Sequence, residues 1–256
     1  TMLERIINEN IPHGQISVAF TPDEEIGTGA QSFDVEAFDA DFGYTLDGDL
    51  EGEIQYENFN AYKATFDITG FSVHPGSSKN TMINASLVAM EINSMLPSGE
   101  TPRGTEDYEG FYHLVSMSGD VCKATLNYIV RDHDASLMNA RLNTLRLIEK
   151  LMNEKWGEGT VKLEIAEQYR NMAEIVSTCM HLIENAKVAC ENVGVTPNII
   201  PIRGGTDGCQ LSFKGLPCPN LGTGGHGYHG PYEHISVEGM DAMTNVAVEI
   251  VKLYAK

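Results

Sequence analysis

The segment Thr21-Pro22-Asp23-Glu24-Glu25-Ile26-Gly27 sets three carboxylates side by side. Charges crowded in this way repel one another unless a proton or a cation compensates them, and carboxylate oxygens are hard donors suited to Zn, Mn or Mg. Neighbouring side chains diverge, so Glu24 and Glu25 can serve different tasks. A second acidic position is Asp47, in Phe42-Gly43-Tyr44-Thr45-Leu46-Asp47-Gly48-Asp49, where a short apolar run ends in an Asp-Gly pair. Further on, the glycine-rich stretch Gly222 to His234 holds His226, His229 and His234. Imidazole is a common zinc ligand, and one of the three is expected to serve as one. Arg203-Gly204-Gly205-Thr206-Asp207-Gly208 lies between an apolar run and a helix-like one. Amides of that loop suit an anion, and Arg203 can grip a carboxylate through two donors, as at the carboxyl end of a peptide. His74 and Arg131 each close a strand-like run. Taken singly, each of these residues also has a plain structural use: a solvated acidic loop, a turn aspartate, surface histidines, a glycine turn, a turn histidine, a surface ion pair.

These residues need elements to hold them. Leu3, Ile6 and Ile7 share a helical face that the Asn10 to Gly14 stretch stops, and Gln15 to Phe20 reads as a buried strand. That strand would put the Asp23-Glu24-Glu25 carboxylates at a C-terminal strand end, where open α/β sheets place their ligands. From Ala61 onward the pattern changes. A strand over 61–73, a helix over 84–96, strands over 110–118 and 121–130 joined at Gly119-Asp120, a long helix over 136–156 and a strand over 161–165 succeed one another. The order β-α-β-β-α-β is that of a ferredoxin-like α+β sandwich. Helical spacing returns over 175–193 and again over 237–254, with short apolar pieces at 198–202 and 219–221. The expected architecture is therefore an α/β domain built from residues 1–57 and 170–256, interrupted by an inserted domain over 58–169.

The chain has 256 residues, with 36 acidic against 17 basic side chains and a formal charge of −19. Such a charge repels phosphate backbones and anionic headgroups, which excludes nucleic-acid and membrane-surface partners. No apolar run reaches the roughly 18 residues of a spanning helix. Five scattered cysteines without a C-x-x-C pair argue against a disulfide framework and for a reducing, cytoplasmic compartment.

Taken together, the segments resemble the M20 metallopeptidase family, most closely its aminotripeptidases, over essentially the whole chain. The resemblance rests on Thr21 to Gly27, Leu46-Asp47-Gly48, Val73-His74-Pro75-Gly76, Arg203 to Gly208 and His229-Gly230-x-x-Glu233, in family order and with family-like separations. It implies a zinc-peptidase catalytic domain carrying an inserted lid and dimerisation domain, and release of the N-terminal residue from short peptides, tripeptides by preference. Glu24 is then the general base, Glu25 a ligand of one zinc, Asp47 a ligand of the other and His229 a further ligand. His74 is the lid histidine that helps hold the oxyanion. Arg131 and Arg203, with Gly204, Gly205 and Thr206, bind substrate. The implied cofactor is a pair of zinc ions, and the implied assembly a homodimer through the insertion. The family's His-x-Asp motif and its bridging Asp have no counterpart here, and a Thr precedes the first Met. The chain is accordingly expected to be the C-terminal part of a longer enzyme, with an incomplete catalytic domain that is inactive alone. Alternative readings are another M20 hydrolase, such as a deacylase or desuccinylase, and a non-catalytic binding or dimerisation module.

Overall fold

A computed structural model describes residues 1–255. Its elements in chain order are α1 (Met2–Asn8), α2 (Val35–Phe38), β1 (Thr45–Gly48), β2 (Glu53–Gln55), β3 (Asn60–Thr69), α3 (Ala85–Ser94), β4 (Phe111–Gly119), β5 (Lys123–Asp132), α4 (Ala135–Trp156), β6 (Val161–Tyr169), α5 (Ala173–Val176), α6 (His181–Asn192), β7 (Asn198–Ile199), α7 (Asp207–Phe213), β8 (Asn220–Gly222), β9 (Gly225–His226), β10 (His234–Ile235) and α8 (Val237–Tyr254). Short 3-10 turns lie at Glu24–Ile26, Pro75–Ser77 and Ser177–Cys179. The chain divides into two compact units, residues 1–58 with 171–256, and residues 59–170.

The first unit has a mixed sheet in the order β1-β8-β2-β7. β1 runs parallel to β8 and β2 parallel to β7, while β2 and β8 are antiparallel. α8 buries Met243, Val246, Val248 and Ile250, and Ser236 caps it by accepting the Gly239 amide at 2.9 Å. Ile6 and Ile11 pack with Val248 in a small core. The chain leaves this unit after Asn58 and returns at Asn171, and the two points are stitched together. The Asn58 amide donates to Asn171 Oδ1 at 3.0 Å, and the Met172 amide donates to Asn58 Oδ1 at 2.7 Å.

In the second unit an antiparallel sheet, in the order β4-β5-β3-β6, carries α3 and α4. Alternation along the strands sends Ala64, Phe66 and Ile68 of β3 and Leu126, Tyr128 and Val130 of β5 to one face. There they meet Val88 and Ile92 of α3 and Leu142, Leu145 and Ile148 of α4 in one core. Side-chain caps fix both helix starts, from Asn84 to the Leu87 amide and from Asp134 to the Ser136 and Leu137 amides.

Three expectations need correction. The strand expected over 61–73 ends at Thr69, so His74 lies beyond it and does not close it. Gln15 to Phe20 is not a strand: no strand pairs with it among the described residues, and Phe20 is 95% exposed. A β-rich run forms a strand only when a neighbouring edge takes its backbone groups, and composition cannot supply that edge. The helix expected over 175–193 is broken into α5, a 3-10 turn and α6.

All five cysteines are free; Cys190, Cys209 and Cys218 are buried, and Cys122 is exposed. Burial raises the Cys190 and Cys209 thiols to about 11 and the Cys218 thiol to about 12. At about pH 8, a thiol reagent should modify Cys122 in the folded protein, and Cys190, Cys209 and Cys218 only after denaturant is added. Because the folded-state values lie above the ordinary 9.0, their contribution is complete below that pH and is lost as pH rises towards 11 or 12. Unfolding midpoints should therefore fall across that alkaline window.

Candidate active site

β1 and β8 end side by side, and the candidate site grows from those ends. Gly48 faces Gly222 across the parallel pair, and a Cβ on Gly222 would meet the Leu50 carbonyl oxygen. Glycine is therefore required for the chain to turn so tightly behind Asp47. The Gly48 carbonyl accepts from the Thr223 amide at 3.0 Å and the Tyr228 hydroxyl at 3.1 Å. The Asp49 carbonyl accepts the amides of Gly224 and Gly225. These bonds tie the histidine loop to the strand that carries Asp47.

Within the loop, His229 stands in the left-handed region at φ 56°, and its amide donates to Glu233 Oε2 at 3.0 Å. Glu233 thus acts on the His229 backbone. The His229 side chain points back to the acidic turn, with Nδ1 at 3.6 Å from Glu25 Oε2.

Glu24 and Glu25 open the 3-10 turn Glu24–Ile26, bracketed by two left-handed residues, Asp23 at φ 62° and Gly27 at φ 73°. Glu24 is half-buried, whereas Glu25 is exposed. Desolvation, and then the negative charges of Asp47, Asp207 and Glu25, push the Glu24 carboxyl up from 4.5 to about 7, with His229 opposing. The Asp47 carboxyl also rises, through desolvation and then the charges of Glu25, Asp207 and Asp49. Although the Asp47 residue reaches solvent, its carboxyl remains inside this ring of like charge.

The structure thus brings Glu24, Glu25, Asp47 and His229 into one electrostatic neighbourhood. It adds Asp207, the first residue of α7, to which the sequence alone gives no role. An acid in the first turn of a helix reads as a routine partner of the helix dipole, so the signal is present but unspecific. Arg203, Gly204, Gly205 and Thr206 precede α7 in the same unit; Thr206 Oγ1 caps the helix by accepting the Gly208 amide at 3.1 Å. His74 and Arg131 belong to the second unit. His74 is exposed and caps Pro75–Ser77. Arg131 is 8% exposed; its guanidinium donates to Tyr62 O, Val130 O and Gln168 Oε1 and lies over the Tyr169 ring.

Oxygen and imidazole donors are chemically right for a divalent metal. Yet among the described residues no group of three or more His, Cys, Asp or Glu side chains is arranged to hold an ion. The described donors do not by themselves fit a two-metal centre.

The sequence profile of Peptidase family M20/M25/M40 matches residues 1–253. The chain belongs to this family. Among its M20 relatives is the Peptidase T of Clostridium novyi (strain NT), 49% identical over 257 residues. The match covers all of this chain and 63% of that protein, so the chain spans less than two thirds of the relative's length. Its fold is similar to the crystal structure of aminopeptidase PepT from Bacillus cereus ATCC 10987, with a TM-score of 0.86 at 26% identity. That likeness covers 100% of this chain and 68% of the other. A Bacillus subtilis M20 protein described as a dinuclear metal binding peptidase shares the fold at a TM-score of 0.65 and 18% identity, over 92% of this chain and 64% of that one. M20 membership accords with the mixed α/β fold. In both units, no described helix is long and apolar enough to cross a membrane.

Proposed function

We infer that this chain carries catalytic residues of a cytoplasmic, zinc-dependent aminotripeptidase of the peptidase T kind. What supports the reading is the convergence of Glu24, Glu25, Asp47 and His229 behind the paired ends of β1 and β8, in a member of a peptidase family. The substrate is a short peptide with a free amino end, a tripeptide by preference. Glu24, with a carboxyl near neutrality, takes a proton from the water whose oxygen attacks the scissile carbonyl carbon. It returns that proton to the leaving amine as the C–N bond breaks. His74 donates to the oxyanion. Arg203 holds the substrate carboxylate, aided by the Gly204, Gly205 and Thr206 amides; Arg131 is assigned to substrate binding as well.

The proposed cofactor is zinc, two ions per active subunit, with Glu25 a donor to one, Asp47 to the other and His229 a further donor. The remaining donors come from outside these residues, and the chain alone is inactive. Residues 59–170 are proposed as a ferredoxin-like lid through which two copies pair, and the other unit as the catalytic domain.

A substrate panel tests the reaction class. An active preparation carrying this sequence should cleave free-amine tripeptides at least about tenfold faster than N-acylated amino acids, a gap that a substrate's unpaired polar end commonly produces. Preference for the acylated substrates would replace the peptidase reading with a deacylase one.

A further inference from the structure

The Glu24–Ile26 turn buries little of its own, since Ile26 is 72% exposed and the turn's bonds are internal ones such as Gly27 N to Glu24 O. Its placement must come from the adjoining segment, residues 27–33. Three side chains at i, i+3 and i+7 of α7 and its cap, Asp207, Gln210 and Lys214, share one helix face. All three seize backbone atoms of that segment. Asp207 Oδ1 accepts the Ala30 amide at 2.9 Å, and Gln210 Nε2 donates to the Gly27 carbonyl at 3.1 Å. Lys214 Nζ donates to the carbonyls of Ala30 and Gln31, each at 2.7 Å, and of Phe33 at 3.1 Å. Behind them Ala30 packs with Leu211 in a small core.

The contact is made at a cost. Asp207 is only 4% exposed, and its Oδ2 has no hydrogen-bond partner. A buried acceptor left in that state is uncommon and unfavourable. Gly29 makes the approach possible, since a Cβ there would collide with that oxygen.

The geometry points to Asp207, Gln210 and Lys214 as a helix-borne clamp on residues 27–33 that fixes the position of Glu24 for proton transfer. They are positioning residues, and the inference rests on Glu24 as the base. A general base acts only from a defined place, and displacement by about 1 Å can cost on the order of 10²-fold in rate.

Hydrogen exchange and steady-state kinetics test the clamp together. In folded protein, Asp207→Ala and Gly29→Ala should each speed amide exchange across 27–33 by about tenfold or more, leaving the second unit unchanged. Asp207→Asn, which keeps an oxygen for the Ala30 amide, should restore most of the protection. In an active preparation, Asp207→Ala should lower kcat by about 10²-fold with KM within about twofold. If Asp207→Ala fails to fold, Gln210→Ala and Lys214→Met carry the same test. Unchanged exchange in the folded variants overturns the clamp, as does faster exchange with unaltered kcat. An active enzyme in which Glu24→Gln turns over normally removes the peptidase role of Glu24 instead, and exchange then still decides whether the clamp exists.

Discussion

Glu24→Gln should lower kcat by about 10²- to 10⁴-fold, the range general-base catalysis supplies, with little change in KM. Glutamine keeps the size of the side chain and its place in the turn but cannot accept or return a proton. Metal content of the active enzyme should match wild type, because Glu24 is assigned no donor role; loss of metal in the variant would make it a ligand instead. Turnover near wild type would remove it from the mechanism. The same substitution has an opposite effect on the metal-free chain. The folded-state carboxyl stands at about 7 against an ordinary 4.5, so its stabilising contribution is present below 4.5 and lost as pH rises through 7. At about pH 8, Glu24→Gln should therefore unfold at a higher temperature than wild type, and the difference should vanish near the lower value. Those two outcomes together would be a stability–activity trade-off at one side chain.

Arg141→Met should destabilise the second unit by about 3–5 kcal/mol, the usual cost of stripping the partner from a buried charge. Arg141 Nε donates to Asp132 Oδ2 at 2.7 Å, and the Asp132 side chain is 1% exposed. The same guanidinium pairs with Glu100 and lies over the Tyr112 ring. Methionine fills the volume but leaves the aspartate without its countercharge. Adding Asp132→Asn to Arg141→Met should recover much of the loss, since the stranded charge is then gone. Urea unfolding of the single and double variants measures both effects, and additive losses would show that the pair is not coupled.

Much of the second unit was legible because its signals are local. Alternation in β3 and β5, the Gly119-Asp120 turn, and the 3.6-residue spacing of Leu142, Leu145 and Ile148 each lie within a few turns or pleats. Gln15 to Phe20 failed for the converse reason, since a strand's partner is not written in the strand. In the site, Glu24, Glu25, Asp47 and His229 stood out through residue type and flanking glycines. Asp207 did not, because its importance lies in a hydrogen bond to a residue 177 positions away in sequence. Nothing near Thr206 or Gly208 announces the amide of Ala30.

The Asn58 and Asn171 stitch bears on how such a chain can change through time. Because both crossing points are fastened within the first unit, the detour closes a ring, and the entropic penalty of closing it grows by only about 0.6 kcal/mol for each doubling in length. Residues between the asparagines can lengthen, shrink or be exchanged for other modules while the segments bearing Asp47 and His229 keep their seats. The stitch thus makes the excursion a cassette.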